Sequence, residues 1–72
     1  ERWNELLLTG LRTNFGVSID QLKKINSISP AIDAKIAEFV AYGWMEKSSS
    51  LLRLTKEGKL KADYIASELF LT

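Results

Sequence analysis

GWMEKSSSLLRLTKEG, running from Gly43 to Gly58, sets two short apolar runs either side of Ser48-Ser49-Ser50 and closes on the start of a helix. Trp44 and Met45 open the first run and Leu51, Leu52 and Leu54 fill the second, so the stretch reads as a two-stranded antiparallel hairpin at about 44–47 and 51–54 with the serines at its tip. Thr55 follows directly. Its hydroxyl is placed to accept from a free backbone N–H of the next turn, which makes it the expected N-cap of a final helix.

The segments before the hairpin read as helices. Trp3, Leu6, Leu7, Gly10 and Leu11 recur at helical spacing, predicting a first helix from residue 3 to about 13, with Leu8 and Phe15 pointing elsewhere. Gly16 is suited to a left-handed turn after it, and Val17 to a short extended step. Ser18 with Gln21 matches a capping box ahead of a short helix over about Ile19 to Ile25, with Asp20 and Lys23-Lys24 at the ends the helix dipole favours. Ser29-Pro30 is a strong start signal for a third helix, whose buried stripe is expected to be Ile32, Ile36, Phe39 and Val40 and whose end is Gly43.

The last helix is predicted to run from Lys56 to about Phe70 with two apolar stripes. Ala62, Ile65, Ala66 and Leu69 share one face beside Gly58, whereas Leu60, Tyr64 and Leu71 share nearly the opposite one. Only one stripe can face a small core, so the second is expected either to fold over the hairpin or to dock on another surface. The predicted core is Trp3, Leu7, Leu11, Leu22, Ile36, Phe39, Val40, Leu52 or Leu54, Ile65 and Leu69. Three main helices, a short second one and a hairpin wing make an α+β, mainly α, winged-helix-like domain over residues 1–72. Because the chain opens on Glu1 instead of Met, a piece of a longer protein is expected.

Composition narrows the chemistry. With 72 residues the chain has length for one domain, and with no Cys it has no disulfide, no thiolate nucleophile and no cysteine ligands for a cluster or zinc. The absence of His removes the commonest proton shuttle and metal ligand. A net charge of +1 supplies no global field that would gather nucleic acid or an anionic membrane. Neither a membrane span nor a signal peptide is present in the pattern, and a cytosolic setting is expected. Asp33, Glu38, Glu46, Glu57, Asp63 and Glu68 are spread over faces predicted to be solvated, so no carboxylate pair is expected to act as acid and base. Gly10 to Gly16 lacks the spacing and the Lys of a phosphate loop. No catalytic, cofactor-binding or metal-binding residue is assigned.

Nucleic-acid recognition is the competing function, since a third helix beside a wing can enter a major groove, as in the DNA-binding module of a transcription regulator. The outward face of the third helix carries Ala31, Lys35, Glu38 and Tyr42 with Asp33 at its flank, one base against two acids. Lys47, Arg53, Lys56, Lys59 and Lys61 form a basic cluster on the wing and the last helix, interrupted by Glu46 and Glu57. Phosphate contact favours Lys and Arg without interleaved acids, so the balance is against nucleic acid as a partner.

Gly10-Leu11-Arg12-Thr13, Gly16-Val17, Leu22, Gly43, Leu54-Thr55-x-x-Gly58 and the closing Ala62-Asp63-x-Ile65-Ala66-x-x-Leu69-Phe70 together resemble the C-terminal domain of the radical-SAM coproporphyrinogen III oxidase family, which includes the oxygen-independent oxidase and the haem chaperone HemW. The resemblance covers almost the whole chain. It implies an accessory domain of an oxidoreductase-like or haem-handling protein in haem and porphyrin biosynthesis, packed beside a catalytic barrel of the same chain. That barrel would hold a 4Fe-4S cluster through CxxxCxxC, use S-adenosyl-L-methionine and, in the chaperone, bind haem. None of those ligands has a counterpart position here. Arg12, on the matched motif and off the inward face, is expected either to meet the barrel or substrate or to form an intrachain ion pair. Arg12, Leu60, Tyr64 and Leu71 are the predicted interdomain contacts.

Overall fold

Three side-chain caps and two left-handed glycines mark where the chain turns, and each acts through backbone groups a few residues away. In the computed structural model, which describes residues 2–71, the elements are α1 (Arg2–Leu11), β1 (Val17–Ser18), α2 (Ile19–Ile25), α3 (Pro30–Ala41), β2 (Met45–Lys47), β3 (Leu51–Leu54), α4 (Lys56–Lys59) and α5 (Ala62–Leu69). The Ser18, Ser29 and Thr55 hydroxyls accept from the backbone N–H groups of Gln21, Ile32 and Gly58, as their spacing predicts. Gly16 and Gly43 take φ of 82° and 81°, the left-handed region that a side chain disfavours.

The end of α3 is a complete Schellman motif. The Gly43 N–H donates to the Val40 carbonyl and the Trp44 N–H to the Phe39 carbonyl, both at 3.0 Å. The accompanying apolar contact is the stacking of Trp44 on Phe39, with ring centroids 5.9 Å apart. Thr55 then fastens α4 to this corner, its N–H donating to the Trp44 carbonyl at 3.0 Å and its hydroxyl to the Gly43 carbonyl at 2.7 Å.

The domain is α+β and mainly helical, as expected, but the sheet has three strands in the order β1-β3-β2 where two were predicted. Val17 pairs with Leu52 and Ser18 with Leu51, both antiparallel, while β2 and β3 form the hairpin with Met45 opposite Leu54. The extra strand follows from the left-handed turn at Gly16, which lays Val17 along the free edge of β3. The Ile19 N–H donating to the Ser50 carbonyl at 2.9 Å extends that pairing to the first residue of α2. At the tip, Ser48 is both acceptor and donor to Leu51, so the three serines form a bonded turn.

One core joins α1, α2, α3, the sheet and α5. Trp3, Leu7, Leu11, Leu22, Ile36, Phe39, Ile65 and Leu69 are buried as predicted, and both Leu52 and Leu54 are inside. Val17, Ile19, Met45 and Ala66 join them. Val40 does not: it is 38% exposed, because it lies about 100° around α3 from Phe39, which takes the core-facing direction at 1%. Ile32 packs half-buried at the core's edge. Leu8, expected to point elsewhere, also packs half-buried against the core. At the centre, the Trp3 indole N–H donates to the Leu69 carbonyl at 2.9 Å, joining α1 to the end of α5.

A second correction concerns the last helix, which is not continuous from Lys56 to Phe70. The chain kinks at Leu60-Lys61, where the Leu60 N–H reaches the Glu57 carbonyl at 3.2 Å and the Lys61 N–H the Gly58 carbonyl at 2.9 Å. Two demands compete there. Gly58 rides directly on the Trp44 carbonyl, close enough that a Cβ would lie 1.8 Å from its oxygen, which fixes α4 against the residue that leads into β2. Ile65, Ala66 and Leu69 must meanwhile face α1 and α3, so the axis changes direction between them.

Candidate functional site

The kink opens a surface groove of about 730 Å³ between α4, α5 and the residues around Trp44 and Arg12. Leu60 stands out of the turn, 88% exposed, because neither helix can carry it inward. Asp63 and Tyr64 lie in the first turn of α5. Trp44 reaches the groove from the Schellman corner and Arg12 from the residue after α1. Lys59 and Lys61 complete the rim.

Aromatic packing shapes the floor. Phe39 is buried and contacts Trp44 face on and Tyr64 edge on, the latter with centroids 6.2 Å apart and planes at 75°. Tyr42 also packs on Trp44, with ring centroids 4.9 Å apart and planes tilted at 57°. Trp44 is half-buried and Tyr64 is 53% exposed, so a connected aromatic cluster runs from the core into the groove. The Lys61 ammonium sits 5.1 Å from the centroid of the Trp44 ring, within cation–π range.

Charges around the groove are fixed by local partners. The Arg12 guanidinium donates to Asp63 at 2.6 Å, joining the C-terminal end of α1 to the start of α5. Lys59 donates to the Asn14 side-chain carbonyl. Away from the groove, Lys35 meets Glu68 at 3.1 Å and Glu38 at 3.7 Å. The hydrogen bond that Lys35 donates to Glu68, the charge of Glu68 and that of Glu38 hold the Lys35 pKa above its ordinary value. Lys47 meets Asp33 at 3.6 Å and Arg53 meets Glu46 at 3.1 Å.

Of the four predicted interdomain contacts, Arg12, Leu60 and Tyr64 line this one groove. Leu71 is elsewhere, which corrects the expected single stripe. It is half-buried against the core, and Asn4 clamps its backbone, accepting from the Leu71 N–H at 3.0 Å and donating to its carbonyl at 3.4 Å. The kink rotates α5 relative to Leu60, and the chain leaves the helix at Phe70, so the spacing of a continuous helix no longer applies. Sequence reasoning did not place Trp44, Lys59 or Asp63 at the site. Trp44 carried a usable signal, since the residue after a left-handed C-terminal glycine packs back on the helix it follows. The Arg12–Asp63 pair joins positions 51 apart in sequence and had no local signature.

Among the described residues no group of His, Cys, Asp and Glu is arranged to hold a metal ion, and no helix is long and apolar enough to cross a membrane. The groove offers aromatic faces, an exposed leucine, cations and one paired carboxylate, which is the equipment of a binding surface. A family model described as the HemN C-terminal domain matches residues 1–60, five-sixths of the chain. Searches of the curated proteins and of the solved structures gave no match.

Proposed function

Because this chain belongs to the HemN C-terminal domain family, we propose that it is the accessory C-terminal domain of a radical-SAM coproporphyrinogen III oxidase-like protein, docked on the catalytic barrel of its own chain. The family match over residues 1–60 carries the proposal. In this reading the domain contributes no catalytic group. The barrel supplies the 4Fe-4S cluster and S-adenosylmethionine, and haem where the parent is a chaperone, and the setting is the cytoplasm. The groove at the α4–α5 joint supports the docking half, since Leu60, Trp44 and Tyr64 present apolar surface beside charged groups, the composition of an interface within a chain.

The DNA-binding reading has less to rest on. Lys35 on the face of α3, Lys47 and Arg53 on the wing are each matched with a carboxylate, so phosphate binding there would first have to displace an ion pair.

Two measurements test the proposal. The coding sequence upstream of Glu1 is expected to contain CxxxCxxC within a domain-sized α/β region, and a parent without it refutes the assignment. Amide exchange through α4 and α5 is expected to be slower in the parent than in the chain of residues 1–72, with Tyr64→Lys removing the difference. Equal exchange in the two proteins refutes docking through this surface.

A further inference from the structure

The groove lining sets Arg12, Lys59 and Lys61 against the single acid Asp63. Net charge is +1, and Lys35, Lys47 and Arg53 are each paired with an acid. At the groove, Asp63 is taken by Arg12, while Lys59 and Lys61 form no ion pair among the described residues. Both lysines are held in place by neutral partners: Lys59 by the Asn14 carbonyl and Lys61 by the Trp44 ring. Between them in sequence stands Leu60, almost fully exposed, and facing them are Trp44 and Tyr64.

Two positioned cations with an exposed leucine between them, beside two aromatic rings, define the chemistry of the occupant. It needs a carboxylate for the lysines and an apolar side chain for Leu60 and the rings. We propose that the groove receives an acidic amphipathic peptide segment, a Glu or Asp adjacent to a leucine or an aromatic residue. This rests on the docking reading above for the source of the segment, which is the barrel of the parent chain. A nucleic-acid strand is the poorer match. Leu60, 88% exposed between the two lysines, offers nothing to a phosphate or to a base edge.

The test uses the 72-residue chain, ¹⁵N-labelled, titrated with a blocked decapeptide carrying two Glu-Leu pairs in a Ser-Gly background. Its counterpart with Gln for Glu and a single-stranded oligothymidine serve as comparisons. The Glu peptide is expected to shift the amides of residues 59–64 and the Trp44 indole, leaving the α2 amides unmoved. Exchanging Glu for Gln is expected to weaken binding about tenfold, and raising salt from about 50 to about 300 mM to weaken it several-fold, because the lysine contacts lie at the rim and are screened. The double variant Lys59→Gln with Lys61→Gln is expected to reduce the Glu peptide's affinity to that of the Gln peptide while leaving the circular dichroism spectrum unchanged. Should that variant unfold, the Glu-against-Gln comparison on the unmodified chain still decides.

No shift at millimolar peptide, equal affinity for the two peptides, or tighter binding of the oligothymidine at the same residues overturns the proposal. These outcomes are separate from those of the docking reading. Slower exchange in the parent with a failed peptide titration leaves docking standing and removes the acidic segment, and equal exchange with a successful titration does the reverse.

Discussion

Gly58→Ala sets two principles of opposite sign against each other in one position. Gly58 is the third residue of α4, and replacing a helical glycine with alanine ordinarily stabilises a helix by about 1 kcal/mol. Here the new Cβ would stand 1.8 Å from the Trp44 carbonyl oxygen and 2.8 Å from its carbon. Ordinary carbon–oxygen contact is roughly 3.3 Å, so α4 must retreat by about 1.5 Å, and the obstacle is backbone that cannot rotate away. Overpacking of this kind costs about 1–3 kcal/mol. The retreat also pulls on the Thr55 N–H bond to the same carbonyl, 3.0 Å long, worth about 1 kcal/mol. The losses exceed the propensity gain by about 1–3 kcal/mol, a large part of the roughly 4–11 kcal/mol a chain of this length commands. That lowers the melting temperature by on the order of 10 °C. Thermal and urea melts followed by circular dichroism measure it directly. Gly43→Ala is the comparison, since no atom lies within 4 Å of its new methyl and only its φ of +81° is strained, at about 1 kcal/mol. A Gly58→Ala protein that melts at or above the temperature of the unmodified chain refutes the close approach of α4 to Trp44 and with it the stated cause of the kink.

Phe39→Ala removes the ring that underlies both Trp44 and Tyr64 and is expected to cost about 3–5 kcal/mol, leaving the chain largely unfolded at 37 °C, whereas Val40→Ala next to it costs less than about 1 kcal/mol; equal melts for the two contradict the burial difference. Trp3→Phe keeps the apolar bulk but leaves the buried Leu69 carbonyl without its indole donor, for a loss of about 1–3 kcal/mol in urea unfolding with an unchanged slope. Lys35 has its folded pKa above the ordinary 10.5, so its contribution is fully present below about pH 10.5 and fades as pH rises through the folded value. The difference in melting temperature between the parent and Lys35→Met is therefore expected to be constant from about pH 7 to about pH 10 and to shrink above that, and a difference that grows with alkali contradicts the Lys35–Glu68 pair.

Features settled within one turn of the chain are legible from the residues alone. Ser18, Ser29 and Thr55 cap because the hydroxyl and the N–H it receives are three residues apart, whatever surrounds them. Gly16 and Gly43 turn left-handed because other residues pay a steric cost there, and Ser48 closes its own hairpin tip. The periodic leucines and Phe39 declared the inward faces of α1, α3 and α5. The family resemblance was carried by the same local signs, in order along the chain.

Tertiary structure decided the rest, because each of those features depends on where a distant segment arrives. Val17 becomes a strand only when β3 offers an unpaired edge, and Val40 is left outside only because Phe39 claims the core. The kink at Leu60-Lys61 comes from the Trp44 carbonyl holding one helix while α1 and α3 orient the next, a conflict that the periodicity of a single helix does not encode. The groove is the product of that conflict: Arg12 and Asp63 meet across 51 positions, Trp44 arrives from the end of α3, and Leu71 is drawn away by Asn4 from the row in which its spacing had placed it.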